Sequence, residues 1–284
     1  MLKNYFLYIK MNECIIKINT IEIKNSIFDN IIDRTYVILC CGETPERLKN
    51  VEKYIKILKP TRYVDFYYFK GYKNCPKSIH SNNDIINNNI TIFKDAISKK
   101  YNRILVLEDD FFLHKPLEQK DINNITKFIK KNNPYFYSLG CFGIPTIKTM
   151  LNTHQKLTYN MTGGAHANIY NKDLLDKYIN YIDNITSDTL YTTTPDFIFS
   201  NINNIKTYRY YKPLIYQTFP ETNNQKNSWK ITLGKFTPIA ICGIKILGLN
   251  KSEYPGYQIL YNLPLVLYII LILLIIYFII KIIR

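Results

Sequence analysis

Apolar residues recur along this chain with two periods, and the alternation between them gives its organisation. Tyr36-Val37-Ile38-Leu39-Cys40-Cys41, Tyr63 to Phe69 and Arg103 to Leu107 are short continuous apolar runs of the kind that form strands buried on both faces. Between them, Leu48, Val51, Tyr54, Ile55 and Leu58 recur at helical spacing, and so do Ile86, Ile90, Phe93, Ala96 and Ile97. Thr44 as N-cap and Pro45 as first helical residue start the first helix, and Lys59-Pro60 stops it. Strand, helix, strand, helix, strand is the rhythm of a parallel α/β sheet.

The pattern continues less regularly. A helix is expected near 117–131, a strand over Tyr135 to Gly140, a strand at Asn168-Ile169-Tyr170 and an amphipathic helix from Lys172 to Ile185. Tyr208 to Tyr211 reads as a further strand. Ahead of the regular pattern, Ile15, Ile16, Ile18, Ile21 and Ile23 alternate loosely and predict a strand or hairpin added to the main domain. Residues 1–34 are therefore read as an N-terminal extension, 35–230 as the α/β domain and 231–262 as a partly apolar linker.

From Leu263 to Ile280 no charge interrupts the apolar run, and Lys281 and Arg284 follow it. That length crosses a bilayer core, and the run has no polar face. It is read as a single-pass transmembrane helix at 263–280, acting as a C-terminal tail anchor, with membrane sidedness open. The N-terminus lacks the long apolar core of a signal peptide. The N-x-[ST] sequons at Asn89, Asn124, Asn160, Asn184 and Asn250 do not decide the compartment in so Asn-rich a chain.

Composition changes this picture little. The chain has 284 residues and a formal net charge of +15, but its lysines are spread along its length. There is no Arg-rich arm, RNP-type motif or zinc-finger spacing, and no nucleic-acid partner is expected. The six cysteines form no CxxC pair, and a chain this large and apolar needs no disulfide framework.

The candidate chemistry gathers where the third strand ends. Ile104-Leu105-Val106-Leu107 runs directly into Glu108-Asp109-Asp110. Adjacent carboxylates repel one another unless solvent or a cation compensates them, and ligand crevices in open α/β sheets lie at the carboxyl ends of strands. The cluster is either a divalent-metal site or a solvated acidic turn. Thr162-Gly163-Gly164-Ala165-His166-Ala167 is a second candidate, since its glycines permit φ > 0 or close approach of backbone to a ligand.

Four blocks, in order, resemble family 25 glycosyltransferases, the lipooligosaccharide-biosynthesis type related to collagen galactosyltransferases. They are Tyr36-Val37-Ile38-Leu39 with Pro45-Glu46-Arg47, then Ile104 to Asp110, whose Leu-Glu-Asp-Asp is similar to the family's form of the DxD motif. Gly164 to Tyr170 with Leu174-Leu175 follows, and last come Asp196, Tyr216-Gln217, Gln225 and Ser228. The resemblance covers roughly 35–230. It implies a GT-A-type, Rossmann-like nucleotide-sugar-binding domain, a nucleotide-sugar donor (a UDP-sugar), Mn²⁺ or Mg²⁺, inverting transfer, and a glycan, lipid or protein hydroxyl as acceptor.

The same resemblance assigns Glu108 and Asp110 to the metal, with Glu108 also near the donor ribose and Asp109 as ligand or supporting carboxylate. Arg47 would pair with diphosphate or else sit solvated at a helix start. Gly71, where the second strand ends, and His166 join the donor contacts, and Asp196 is the candidate catalytic base. Ile79-His80-Ser81 and Cys40-Cys41-Gly42 depart from the family's pattern. The alternative reading is a catalytically inactive GT-A-like domain serving as a membrane-tethered scaffold.

Overall fold

The computed structural model describes residues 14–40, 45–75, 81–158, 163–164, 166–185, 195–219, 234–251 and 254–283. The protein is an α/β sandwich about an eight-stranded sheet. Its elements in chain order begin with β1 (Ile15–Glu22), β2 (Arg34–Cys40), α1 (Pro45–Leu58), β3 (Tyr63–Phe69), α2 (Ser81–Ser98) and β4 (Arg103–Glu108). Next come β5 (Phe111–Phe112), α3 (Gln119–Asn132), β6 (Phe136–Ser138), β7 (His154–Lys156), β8 (Ala167–Asn171) and α4 (Lys172–Asp183). The chain continues with α5 (Pro195–Asn201), β9 (Thr207–Tyr210), β10 (Tyr216–Gln217), α6 (Thr237–Ile246) and α7 (Tyr254–Ile283).

The sheet order is β1-β3-β2-β4-β8-β6-β9-β7. β3, β2 and β4 are parallel, as the alternating pattern predicts. The sheet as a whole is mixed rather than parallel, because β8 runs antiparallel between β4 and β6. β8 is short and its neighbours are buried, so periodicity marked it as a strand without giving its direction. β1 lies antiparallel on the outer edge of β3. A separate ribbon pairs β10 with β5, setting Gln217 opposite Phe111 and Tyr216 opposite Phe112.

Two apolar layers cover the sheet. On one face Val51, Ile55 and Leu58 of α1 and Ile122, Ile125 and Ile129 of α3 pack on Val37, Leu105 and Ile169. On the other, Phe93 and Ala96 of α2, Leu174 and Tyr178 of α4 and Phe199 of α5 pack on Tyr36, Ile104 and Tyr170. The strands need apolar side chains on both faces for this reason, which is why they read as continuous runs.

The carboxyl ends of β2, β3 and β4 lie together along one sheet edge, and the polar anchor of the parallel strands lies nearer the other. Asp65, fully buried in β3, receives Arg34 Nε and Nη2 at 2.9 and 2.7 Å and the Lys17 ammonium at 2.9 Å. Burial alone would raise the Asp65 carboxyl, but hydrogen bonds from Arg34, Thr20 and Lys17 hold it below the ordinary range. No motif pointed to Asp65, a lone acid inside an apolar run.

Cys14 and Cys75 form a disulfide, with Cα atoms 5.3 Å apart, which corrects the expectation of unpaired cysteines. They are 61 residues apart in sequence. Only the antiparallel register of β1 on β3 brings them together.

Residues 231–262, read from sequence as a linker, contain α6 and the first turns of α7. Tyr257 and Tyr261 of α7 are fully buried, in one cluster with Phe112, Tyr216, Ile244 and Leu249. Beyond them the helix leaves the domain. Among the described residues one helix segment, Gly256–Ile282, is long and apolar enough to cross a membrane.

Two outcomes follow from these ties. Asp65→Asn leaves Arg34 with an uncompensated buried face and is expected to cost about 3 kcal/mol in denaturant unfolding. In the parent protein the ionised Asp65 stabilises the fold above its unfolded-state pKa of about 4, and that stability is lost as pH falls through its lower folded-state value. Cys75→Ser should lower stability by about 2–4 kcal/mol. Non-reducing peptide mapping of the parent should recover the Cys14–Cys75 linked pair.

Candidate functional site

β4 ends the central parallel trio, and its last residue begins the acidic turn. Glu108 is held in the ladder, its N–H donating to the His166 carbonyl at 3.0 Å. The chain then turns through Asp109 and Asp110 into β5. The structure thereby sets Glu108, Asp109, Asp110 and His166 side by side at one edge of the sheet.

Arg47 joins them from the first turn of α1. Its Nη1 lies 3.1 Å from Asp109 Oδ1 and 3.3 Å from Oδ2, with both side chains largely buried. The sequence left Arg47 between a phosphate contact and a solvated helix start. In this structure it is neither solvated nor distant, since its partner is the middle carboxylate of the cluster.

Asp110 is the constrained member. Its Oδ2 accepts from Gln217 Nε2 at 2.9 Å, and its backbone carbonyl accepts from the Thr218 N–H at 2.9 Å. Its Oδ1 is buried with no hydrogen-bond partner among the described residues. Burial, and then the negative charge of Asp109, pushes the Asp110 carboxyl up to about 7, against the pull of Gln217 and Arg47.

Gln217 reaches this position because β10 pairs with β5, immediately after the turn. Its Oε1 is also buried and unpartnered, as is His166 Nδ1. Both atoms face Gly164, whose φ of +84° is left-handed; a Cβ there would lie 3.1 Å from Gln217 Oε1 and 3.4 Å from His166 Nδ1. His166 is fully buried. Its Nε2 lies 3.0 Å from the Ile215 carbonyl and 3.2 Å from the Tyr257 hydroxyl oxygen. A carbonyl only accepts, so Nε2 carries the proton and Nδ1 is the acceptor. Burial pushes the imidazole down to about 4, which keeps it neutral.

Tyr257 is the residue that sequence reasoning missed. Its hydroxyl donates to the Gly140 carbonyl and its ring packs against Tyr216, Phe142 and His166. The available signal was Tyr257 and Tyr261, four residues apart just ahead of the apolar run, a spacing that puts both on one helix face. Gly140 permits the approach: a Cβ there would lie 1.8 Å from the Ile215 carbonyl oxygen and 2.6 Å from His166 Nε2.

The other candidates fall as follows. Gly71 lies at the carboxyl end of β3 with φ +77° and open space around its Cα. Asp196 is in the first turn of α5, and its side chain lies outside the described residues, as do Gln225, Ser228 and the Ile79-His80 step. A cavity lined by Lys177, Asn180, Tyr181 and Asn201 includes none of the site residues.

Among the described residues, no group of three or more His, Cys, Asp or Glu side chains is arranged to hold a metal ion by itself. The donor set nonetheless fits a cation that takes its remaining ligands elsewhere. Asp110 Oδ1 is a buried oxygen acceptor with no donor among the described residues, and hard divalent cations at phosphate sites use one or two carboxylates plus substrate oxygens.

Fold and site together define a mixed α/β protein with an acidic turn at the carboxyl end of its central strand and one apolar C-terminal helix. No protein-family model matches the chain, and no curated protein matches its sequence. Among solved structures, the chain is similar to A197 from STIV at 11% identity and a TM-score of 0.36, covering 66% of this chain and 86% of that one. It is also similar to a glycosyltransferase involved in glycosylation of the major capsid of PBCV-1, at 16% identity and a TM-score of 0.35, covering 62% and 81%. Likenesses this slight assign no activity, and the functional reading rests on the site itself.

If Tyr257 holds the site together, Tyr257→Phe should cost about 1–3 kcal/mol, because the buried Gly140 carbonyl loses its donor. The measurement is the unfolding midpoint of the full chain in detergent. A midpoint equal to the parent's would show that this bond contributes nothing.

Proposed function

We propose that this protein is a membrane-anchored, metal-dependent glycosyltransferase that moves a sugar from a nucleotide-sugar donor to a hydroxyl of a glycan, lipid or protein. One observation carries the reading. A compensated acidic turn lies at the carboxyl end of the central strand, and its last carboxylate keeps a buried, unpaired oxygen. An acidic turn that merely ended a strand would point its carboxylates into water.

In this reading Asp110 and Glu108 hold Mn²⁺ or Mg²⁺, with Gln217 orienting Asp110 through its amide N–H. The ion, when bound, offsets charge on the diphosphate leaving group. Arg47 holds Asp109 in place and lies beside the acidic turn, where its planar fork suits the phosphate oxygens of the donor. His166, neutral and wedged between Ile215 and Tyr257, fixes the spacing between the Gly164 turn and β10. The donor C1–O bond to diphosphate breaks, and a bond forms from C1 to the acceptor oxygen. The acceptor proton passes to a general base, for which Asp196 is the candidate. Attack from the face opposite the leaving group inverts C1. The uninterrupted apolar helix supports the anchor.

The test uses the full chain in detergent, because removing α7 would strip Tyr257 and Tyr261 from the core. A nucleotide-sugar panel with Mn²⁺ should reveal turnover or hydrolysis of at least one donor. Asp110→Ala should lower it by about 100-fold or more in a chain that still unfolds cooperatively. Full activity in that variant overturns the assignment of Asp110. Calorimetry that finds no binding of any nucleotide or nucleotide sugar, with or without Mn²⁺, overturns the enzyme reading and leaves the inactive scaffold.

A further inference from the structure

The part of the span that stands clear of the domain is too short to cross a bilayer if the domain stays wholly in water. The Tyr268 hydroxyl donates to the Pro145 carbonyl at 3.3 Å, so the domain reaches well down the helix beyond its buried root at Tyr261. From Ile269 to Ile280 the helix has only about 18 Å of bare apolar length at about 1.5 Å per residue. A hydrocarbon core is about 30 Å thick. Covering it brings the membrane boundary back to about Leu263, and that boundary places the Pro145 rim among the lipids.

The surface at that level is built of apolar and basic residues. Just after Pro145, Ile147 is 69% exposed and Leu151 87% exposed. Beside the helix root, Ile239, Cys242 and Ile246 form one exposed stripe at helical spacing along α6, with Phe236 exposed just before it and Ile239 and Ile246 exposed to 67% and 79%. The inner side of α6 is fixed to α7, since Ile244 and Leu249 pack with Tyr257 and Tyr261. The contact is close enough that a Cβ on Gly256 would lie 1.7 Å from the Leu247 carbonyl oxygen. Residues 234–251 contain Lys235, Lys245 and Lys251 and no acid, and residues 145–157 contain Lys148 and Lys156 and no acid. An apolar stripe edged only by lysines suits an anionic lipid surface, where long basic side chains extend to the headgroups.

We propose that α6 and the 147–151 loop are an interfacial membrane-docking surface, seated among the headgroups of an anionic bilayer beside the α7 span. The domain then rests on the membrane rather than hanging from a tether. The proposal rests on the reading that α7 crosses the bilayer, and the test separates the two.

The full chain, with Cys40→Ser, Cys41→Ser, Cys141→Ala and Cys242→Ser as background and the Cys14–Cys75 disulfide kept, is labelled with a fluorophore at single introduced cysteines and reconstituted in vesicles of phosphatidylcholine and phosphatidylglycerol that carry brominated acyl chains. The variants are Ile239→Cys, Ile246→Cys, Leu151→Cys, Leu271→Cys within the span, and Lys53→Cys on α1. Labels at 239, 246 and 151 should be quenched to within about threefold of the label at 271, and the label at 53 should not be quenched. Labels at 239, 246 and 151 that behave like the one at 53, with 271 quenched, overturn the docking surface and leave the anchor standing. An unquenched label at 271 overturns both.

Discussion

A carboxylate buried at the end of the central strand has to be compensated, and most of the architecture around the site follows from that requirement. Asp110 cannot turn outward, because β5 leads straight from it into the ribbon with β10. Its charge is met by an amide from that ribbon and, through Asp109, by the guanidinium of the first helix. Two segments far apart in sequence are therefore tied to one turn. Moving either of them leaves a buried acceptor without a donor, which costs more than the bond itself contributes.

The same chain of polar contacts reaches the C-terminal helix. Gln217 and Ile215 flank Tyr216, Ile215 receives His166, and His166 meets Tyr257. The helix is thus part of the domain's core at its root, and about 9 Å along its axis from Tyr257 it becomes the exposed apolar rod that begins at Leu263.

How much of this was legible in the sequence depends on whether the signal was local. The parallel trio, α1 and α4 were legible because buried strands and amphipathic helices print their periods on consecutive residues. The acidic turn was legible because three acids after four aliphatic residues need a reason. Gly164 was legible as a special backbone position and adopts φ +84°. The direction of β8, the Cys14–Cys75 pairing and the Asp65 ion cluster were not, because each depends on a register between distant strands. Tyr257 was hidden for another reason. It stands at the head of an apolar run whose length drew attention to the membrane, while its function is set by a carbonyl more than a hundred residues upstream.

The residues of helix α7 divide into two sets. Tyr257 and Tyr261 carry hydroxyls that find backbone carbonyls of the domain, Gly140 and Tyr210, and Arg209 lies 4.1 Å over the Tyr261 ring. From Leu263 onward the side chains are almost wholly aliphatic, and from Ile269 to Ile282 all of them are exposed. A soluble helix with this exposure would present a large apolar patch to water, which monomeric proteins avoid. Pro264 marks the change: it lacks the N–H that would bond back toward Leu260, at the level where the helix leaves the domain. The missing bond is tolerable there because the preceding turn is clamped by its tyrosines, so the helix is held firmly at its root and runs on from there as a continuous apolar segment.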